Sequence, residues 1–360
     1  LQMMVRDLQF IFIKDLRRGI LLCFAAAAYL IVFSWLYMEG VVTQIPLLVV
    51  DQDQSAISRE LIRDLSQADG LKLEDVSVDP GAAEVWLRQG RHRMAILLPV
   101  DYSTKIRKGL QTEIVLMVEG SNIIINSNAM EAALDVVRNY IHVNAQRTYE
   151  ENNLQLPSEA WRRSEPVQFN YRVLHNPNLD YLLFFVTGLS LVALQQGLLL
   201  ATAASLLYVK QPVTEDERKL NPILRWLAKS SVYVGMGLLA YLLDVVLMKY
   251  CFKVPLKGSS LEYALLGFCF IFCVANVAGV LACLAGDEML FSRISIFYTV
   301  PAFMLSGFTW PLEGMPSFVR GIAWCSPFTY MANTFRELCL NGYSNQLQYD
   351  CLVLITIGLV

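Results

Sequence analysis

Four polar side chains stand inside long apolar runs of this 360-residue chain: Gln195 and Gln196 in the run 180–208, Asp244 in 231–252 and Asn276 in 261–285. Burying such groups without partners is costly, so each calls for a hydrogen-bonding neighbour, a wet cavity or, for the carboxylate, a proton. Amides in that setting either line a path for a solute or tie one helix to another. Their chemistry is recognition and passage, not bond cleavage. The rest of the chain agrees. Its three histidines, His92, His142 and His175, form no Ser/His/Asp arrangement, and there is no paired-carboxylate signature. The phosphate-cradling pattern G-x-x-x-x-G-K-[ST] does not occur. The chain is therefore read as having no ATPase activity of its own, so another polypeptide must energise any pumping. Cys269 and Cys273 lie one helical turn apart without His or carboxylate neighbours, and read as buried apolar side chains rather than metal ligands.

A second concentration of unusual residues runs from 303 to 336: Gly307, Pro311, Glu313, Met315, Pro316, Pro327, Tyr330 and Arg336. An apolar run should leave the membrane at Gly307. It then breaks at three prolines without becoming polar enough for an ordinary loop. Proline cannot donate to a helix and disfavours the helical shape in the residue before it. Two short amphipathic pieces are expected, near 316–325 and 328–340, divided by Ser326-Pro327. Broken helices at membrane depth persist only where protein or a water-filled cavity covers their backbone. The element reads as a re-entrant pair of half-helices at 310–340, belonging to a transport path or its lid. The plainer alternative is an irregular surface loop. Glu313 and Arg336, on its two sides, either pair and pin the half-helices or stand exposed independently, where a pair would contribute little.

The elements that position these residues follow from composition. The chain is 55% hydrophobic and 17% charged, against about 25% charged for soluble domains. Its apolar residues are segregated into runs at 20–38, 180–208, 231–252, 261–285 and 289–309, each long enough to cross a hydrocarbon core, which needs about 20 residues. A sixth run begins at Leu352 and stops at Val360. The expectation is six transmembrane helices with the last cut short, the given sequence being trimmed at both ends. Arg6, Lys14, Arg17 and Arg18 flank the first span and place the N-terminus in the cytoplasm. Lys210, Arg218, Lys219, Arg225 and Lys229 put the loop 210–229 on the same side, while Lys249, Lys253 and Lys257 count against the scheme unless they snorkel. The first span is too long for a cleavable signal and has no small-residue cleavage site after it. Net charge of −3 points away from nucleic acid.

Residues 1–18 read as an amphipathic helix in the inner interface, with Leu1, Val5, Leu8, Phe12 and Leu16 at helical spacing; a cytoplasmic extension of the first span (19–39) is the alternative. Residues 40–178 form a soluble domain between the first two spans, outside the cytoplasm. Strands are expected at 45–50, 71–78, 94–98, 114–118 and 167–173. Helices are expected at 55–65, 80–88, 104–110 and 128–150. That alternation argues an α/β domain with a substantially parallel sheet. No cysteine lies between Ala25 and Tyr250, so no disulfide staples it. Residues 179–360 complete the membrane domain.

The pattern Leu305-Ser306-Gly307-Phe308, Trp310-Pro311, Glu313, Met315-Pro316, Pro327, Thr329-Tyr330 and Arg336 resembles the signature of ABC-2 type permeases, the membrane halves of ATP-binding-cassette exporters. Leu48 to Ser55 and His175-Asn176-Pro177-Asn178 are similar to the edges of the outer domain in the multidrug-exporter branch. The resemblance covers nearly the whole chain. It implies a permease subunit in a bacterial inner membrane, an elbow helix at the N-terminus, and a path between two permease subunits of a homo- or heterodimer. It also implies separate ATPase subunits that carry the ATP and magnesium, no cofactor on this chain, and a periplasmic adaptor protein. The ATPase would dock at 210–229, where Glu215, Asp216, Glu217 and Arg218 keep the family's acidic cluster but its Gly-Thr-x-Glu is missing and Pro212 intrudes. That departure keeps open a non-transporting reading, a six-span surface receptor or secretion scaffold.

Overall fold

The computed structural model describes residues 5, 9, 13, 16–38, 41–108, 110–153, 176, 180–207 and 221–359. Two compact units emerge, Val41–Arg172 on one hand and Leu1–Gly40 with Val173–Val360 on the other. The first continuous described element is α1 (Leu16–Leu36), a helix favoured by its run of alanines and its leucines.

Within Val41–Arg172 the order is β1 (Ile45–Asp51), α2 (Ala56–Ser66), β2 (Leu71–Ser77), α3 (Pro80–Arg88), β3 (Met94–Leu98), α4 (Tyr102–Arg107), β4 (Val115–Val118) and α5 (Ile123–Asn153). The four strands are ordered β2-β1-β3-β4. β1 runs parallel to both β2 and β3, and β4 returns antiparallel on the edge. β1 is central and covered on both faces, which is why it reads as a continuous apolar run rather than an alternation. Leu47 and Val49 face Leu61, Leu65 and Val137 of α2 and α5. Leu48 and Val50 face Ala83 and Leu87 of α3. β2, on the other edge, is buried at Leu71 and then alternates exposed and half-buried positions. Asp79 caps α3 by accepting from Gly81 N at 2.9 Å, with Pro80 in the first turn. The strand expected at 167–173 lies outside the described residues, as does most of the N-terminal interfacial helix.

The second unit continues with a π-helical segment (Leu182–Val186), α6 (Thr187–Leu207), α7 (Pro222–Tyr250), α8 (Ser260–Ala285), α9 (Glu288–Leu305), a 3-10 turn (Leu312–Gly314), α10 (Ser317–Trp324), α11 (Pro327–Leu340) and α12 (Leu347–Leu359). Five described helices are long and apolar enough to cross a membrane: Gly19–Leu36, Leu182–Leu207, Leu224–Tyr250, Ser260–Ala285 and Glu288–Leu305. Apolar α12 has 13 residues, short of the ~20 a span needs, so six spans are not counted here. Two boundaries differ from expectation. α7 begins at Pro222 rather than near 231, because proline suits a first helical turn and Trp226 finds a partner in Asn276 (Nε1 to Oδ1, 2.6 Å). α9 ends at Leu305 rather than 309, because the next turn is closed by Ser306. The π-helical segment has no expectation behind it.

Candidate functional site

Residues 303–336 fold around two pivots, Gly307 and Arg336. α9 stops at Ser306, whose hydroxyl donates to Phe303 O at 2.8 Å and accepts from Phe308 N at 3.2 Å. The chain then turns through Gly307 at φ +86°, a left-handed conformation that costs little only without a Cβ. A methyl group there would also stand 2.9 Å from Leu312 Cγ and 3.0 Å from Asn333 Nδ2. Asn333 fills that space and donates to Ser306 O at 2.7 Å and to Thr329 O at 3.2 Å. The amide thereby ties the end of α9 to the first turns of α11.

Arg336, half-buried on α11, donates to Phe308 O at 3.3 Å and to Asn333 Oδ1 at 3.2 Å. Its guanidinium lies 4.6 Å from the Phe308 ring centroid and 5.1 Å from that of Phe184 in the π-helical segment. The two rings are themselves stacked, with centroids 5.9 Å apart. A cation on two aromatic faces is a directional clamp of the kind Arg serves better than Lys. Phe308 is almost wholly buried, and its ring occupies the space a side chain at Gly188 would need. Glu313 is exposed and makes no ion pair with Arg336 among the described residues. Arg336 is therefore neither paired with Glu313 nor independently exposed. Its partners are carbonyl, amide and aromatic rings.

The prolines divide the element. Pro311 precedes the 3-10 turn, Pro316 precedes α10 and Pro327 opens α11. Met315 is buried while Pro316 is exposed. α10 and α11 are joined at their corner by Thr329 Oγ1 to Ala323 O at 2.6 Å and by Tyr330 OH to Trp324 O at 2.7 Å. Thr334 of α11 donates to Asp350 of α12. Sequence reasoning missed Asn333 and Phe184 as members of this cluster, and had Phe308 only as part of the family pattern. The spacing Thr329, Asn333, Arg336 on one face of a helix was the available signal.

The polar residues of the long helices divide into satisfied and unsatisfied. Gln196 donates to Ser295 Oγ at 3.0 Å and accepts from Thr299 Oγ1 at 2.6 Å, joining α6 to α9. Asn276 accepts from Trp226 and donates to Phe272 O at 2.8 Å. These two amides bind helix to helix. Gln195 and Asp244 are fully buried with no hydrogen-bond partner among the described residues. Glu215, Asp216, Glu217 and Arg218 lie outside the described residues.

In Val41–Arg172, the segment Asp51-Gln52-Asp53-Gln54-Ser55 is a strand-to-helix clamp. Asp51 accepts from Asp53 N (3.1 Å), Gln54 N (3.0 Å) and Ser58 Oγ (2.7 Å). Ser55 and Ser58 cap α2 reciprocally. Asp53 accepts from Ser103 N at 3.2 Å and Ser103 Oγ at 3.0 Å, which fixes α4. Burial pushes the Asp53 carboxyl up, but the Ser55 and Ser103 hydrogen bonds and the Arg107 charge outweigh it and hold the group below the usual carboxylate range. Before α6, Asn176 plays a comparable part, donating to Asp180 O and accepting from Asp180 N, both at 3.0 Å.

The family model described as ABC-2 family transporter protein matches residues 17–360. The chain is 21% identical to the probable multidrug ABC transporter permease YbhR of Escherichia coli (strain K12), over 86% of this chain and 82% of that protein. It is 24% identical to the inner membrane transport permease YhhJ of the same strain, over 96% and 92%. A shorter match, 25% identical over 32% of this chain, is to the probable multidrug ABC transporter permease YbhS. No solved structure matches.

Proposed function

Because this chain belongs to the ABC-2 family of transporter proteins, we propose that it is the permease subunit of an ATP-binding-cassette exporter that moves hydrophobic compounds or drugs outward. The path forms between two permease subunits, and separate ATPase subunits drive it. The observation that carries this reading is the Gly307–Arg336 element, whose two short helices are pinned to α9 by Asn333 and Arg336. In this reading the element closes one end of the path, with aromatic packing that can part without breaking a long helix. The drug class follows the names of the relatives YbhR and YbhS, and the bacterial inner membrane that of YhhJ.

In this reading α12 is the start of a sixth span and the N-terminus is cytoplasmic. Val41–Arg172 faces outward, toward a periplasmic adaptor. The ATPase docks at 210–229 through Glu215, Asp216, Glu217 and Arg218. ATP and magnesium bind the partner, and this chain holds no cofactor. Of the four polar residues expected to border the path, Gln195 and Asp244 keep that role, while Gln196 and Asn276 tie helices together beside it.

The test is an affinity purification of the tagged full-length protein from its own membrane in mild detergent, with mass spectrometry of what accompanies it. A stoichiometric ATP-binding-cassette ATPase is expected, and Glu215 and Glu217 reversed to Lys should lower its recovery. Recovery of the chain alone would overturn the exporter reading. The departure of 210–229 from the family's docking pattern would then favour a receptor or secretion scaffold.

A further inference from the structure

Asp244 is a buried carboxylate for which the described residues supply no counter-charge. It lies on α7, fully buried, and neither oxygen has a hydrogen-bond partner among the described residues. Its polar neighbour is the Ser190 hydroxyl of α6, which sits outside strict hydrogen-bond geometry with it. Ser190 has already committed its proton to Thr187 O at 3.0 Å. That single proton is divided between two acceptors, which leaves an ionised Asp244 poorly supported.

Among the described residues, the elements around α7 bring no cation to Asp244, and Arg225, Lys229 and Lys249 of α7 itself form no hydrogen bond with it. α6 carries no charged residue. α1 holds Arg17 and Arg18 in its opening turn alone. On α8, Glu262 is taken by Ser259 N and Oγ, and Tyr263 O accepts from Tyr241 OH at 3.1 Å. α11 reaches this region through Phe335 against the Tyr241 ring. Its Arg336 is held by Phe308 O and Asn333, and its Glu337 by Ser344 Oγ. An ionised, unpaired carboxylate among transmembrane helices is strongly disfavoured.

A second feature lies on the same stretch of α6. The π-helical segment Leu182–Val186 runs directly into the helix, and such irregular turns mark places where a helix rearranges. Phe184 within it carries Arg336, and Gly188 seats Phe308. From Phe184 to Ser190 is six residues, about 9 Å along the axis. Asp244 therefore sits roughly two turns beneath the aromatic closure.

We propose that Asp244 is a proton-binding site of the membrane part, occupied while the Phe184–Phe308–Arg336 closure is shut and emptied to water when it opens. The carboxylate takes its proton from water and returns it to water, and no other bond changes. This inference rests on the helices alone and does not depend on any cargo or ATPase.

Infrared difference spectra test it on the full-length protein in lipid vesicles, wild type against Asp244→Asn, from about pH 6 to about pH 9. The C=O stretch of a protonated carboxyl is expected in the wild type near neutral pH and should be absent from the Asn variant. Asp350→Asn, which removes another buried carboxyl, should leave that band in place. Carboxylate bands alone in the Asp244 difference at every pH would overturn the site. Phe308→Ala, checked for folding by gel filtration, admits water at the closure and should move the band's midpoint down by about one pH unit or more. An unmoved midpoint in a folded variant would overturn the link between the proton and the opening.

Discussion

Replacing Gly307 by Ala adds one methyl group at the most constrained point of the candidate site. Two costs combine. A residue with a Cβ at φ +86° loses about 1–2 kcal/mol relative to glycine. The new methyl would lie 2.9 Å from Leu312 Cγ and 3.0 Å from Asn333 Nδ2. Overpacking of that kind costs about 1–3 kcal/mol after the neighbours shift. If the Asn333 amide is what moves, its 2.7 Å bond to Ser306 O weakens too. The expected loss is about 2–5 kcal/mol, a change of roughly 30- to 5,000-fold in the unfolding equilibrium. Thermal unfolding of the purified protein in detergent, followed by tryptophan fluorescence, measures it. The double variant Gly307→Ala with Leu312→Ala separates the two costs. It should recover the clash with Leu312 relative to Leu312→Ala alone but not the backbone strain. A Gly307→Ala protein as stable as the wild type would refute the left-handed turn and the packing built on it. On the exporter function proposed above, Gly307→Trp should go further and abolish export, in a protein that still inserts.

Further predictions test other joints. Asn333→Ala leaves Ser306 O and Thr329 O without their donor and should destabilise by about 1–3 kcal/mol, read by the same thermal assay; Asn333→Asp, which cannot donate, should be no better. Gln196→Leu removes a two-way bond to Ser295 and Thr299 and should cost about 1 kcal/mol, since such bonds average about 0.6 kcal/mol between membrane helices. Asp53 supplies a pH dependence. Its folded carboxyl titrates below the unfolded one, so its stabilisation is complete above the ordinary carboxylate value of ~3.9 and fades as pH falls through the depressed one. Hydrogen exchange of the α4 amides should rise on acidification below about pH 4, and Asp53→Asn should flatten that response. An identical acid profile in the variant would remove Asp53 from the clamp.

Much of the architecture was legible because its causes are local. Long apolar runs mark helices that can cross a membrane, whatever packs beside them, and a strand buried on both faces advertises itself as Leu47-Leu48-Val49-Val50. Prolines at 311, 316 and 327 break a helix by their own covalent structure, and the two short helices fall on either side of Ser326-Pro327. The edge strand β4 was legible as a strand but not in its antiparallel sense, since direction is a property of the pairing.

What needed the tertiary structure was every relation between distant residues. Gln195 and Gln196 are adjacent and chemically identical, yet one joins α6 to α9 and the other has no partner among the described residues. A helix turns each successive side chain by about 100°, so only the packing decides which amide meets Ser295. Glu313 and Arg336 carry opposite charges at a suggestive spacing, but Arg336 is claimed by Phe308 and Phe184. Composition and periodicity determined that this chain is a set of long apolar helices with a unit of alternating strands and helices inserted between the first two. The partner each buried polar group finds, and with it the proton argued for at Asp244, was decided by the packing of helices far apart in sequence.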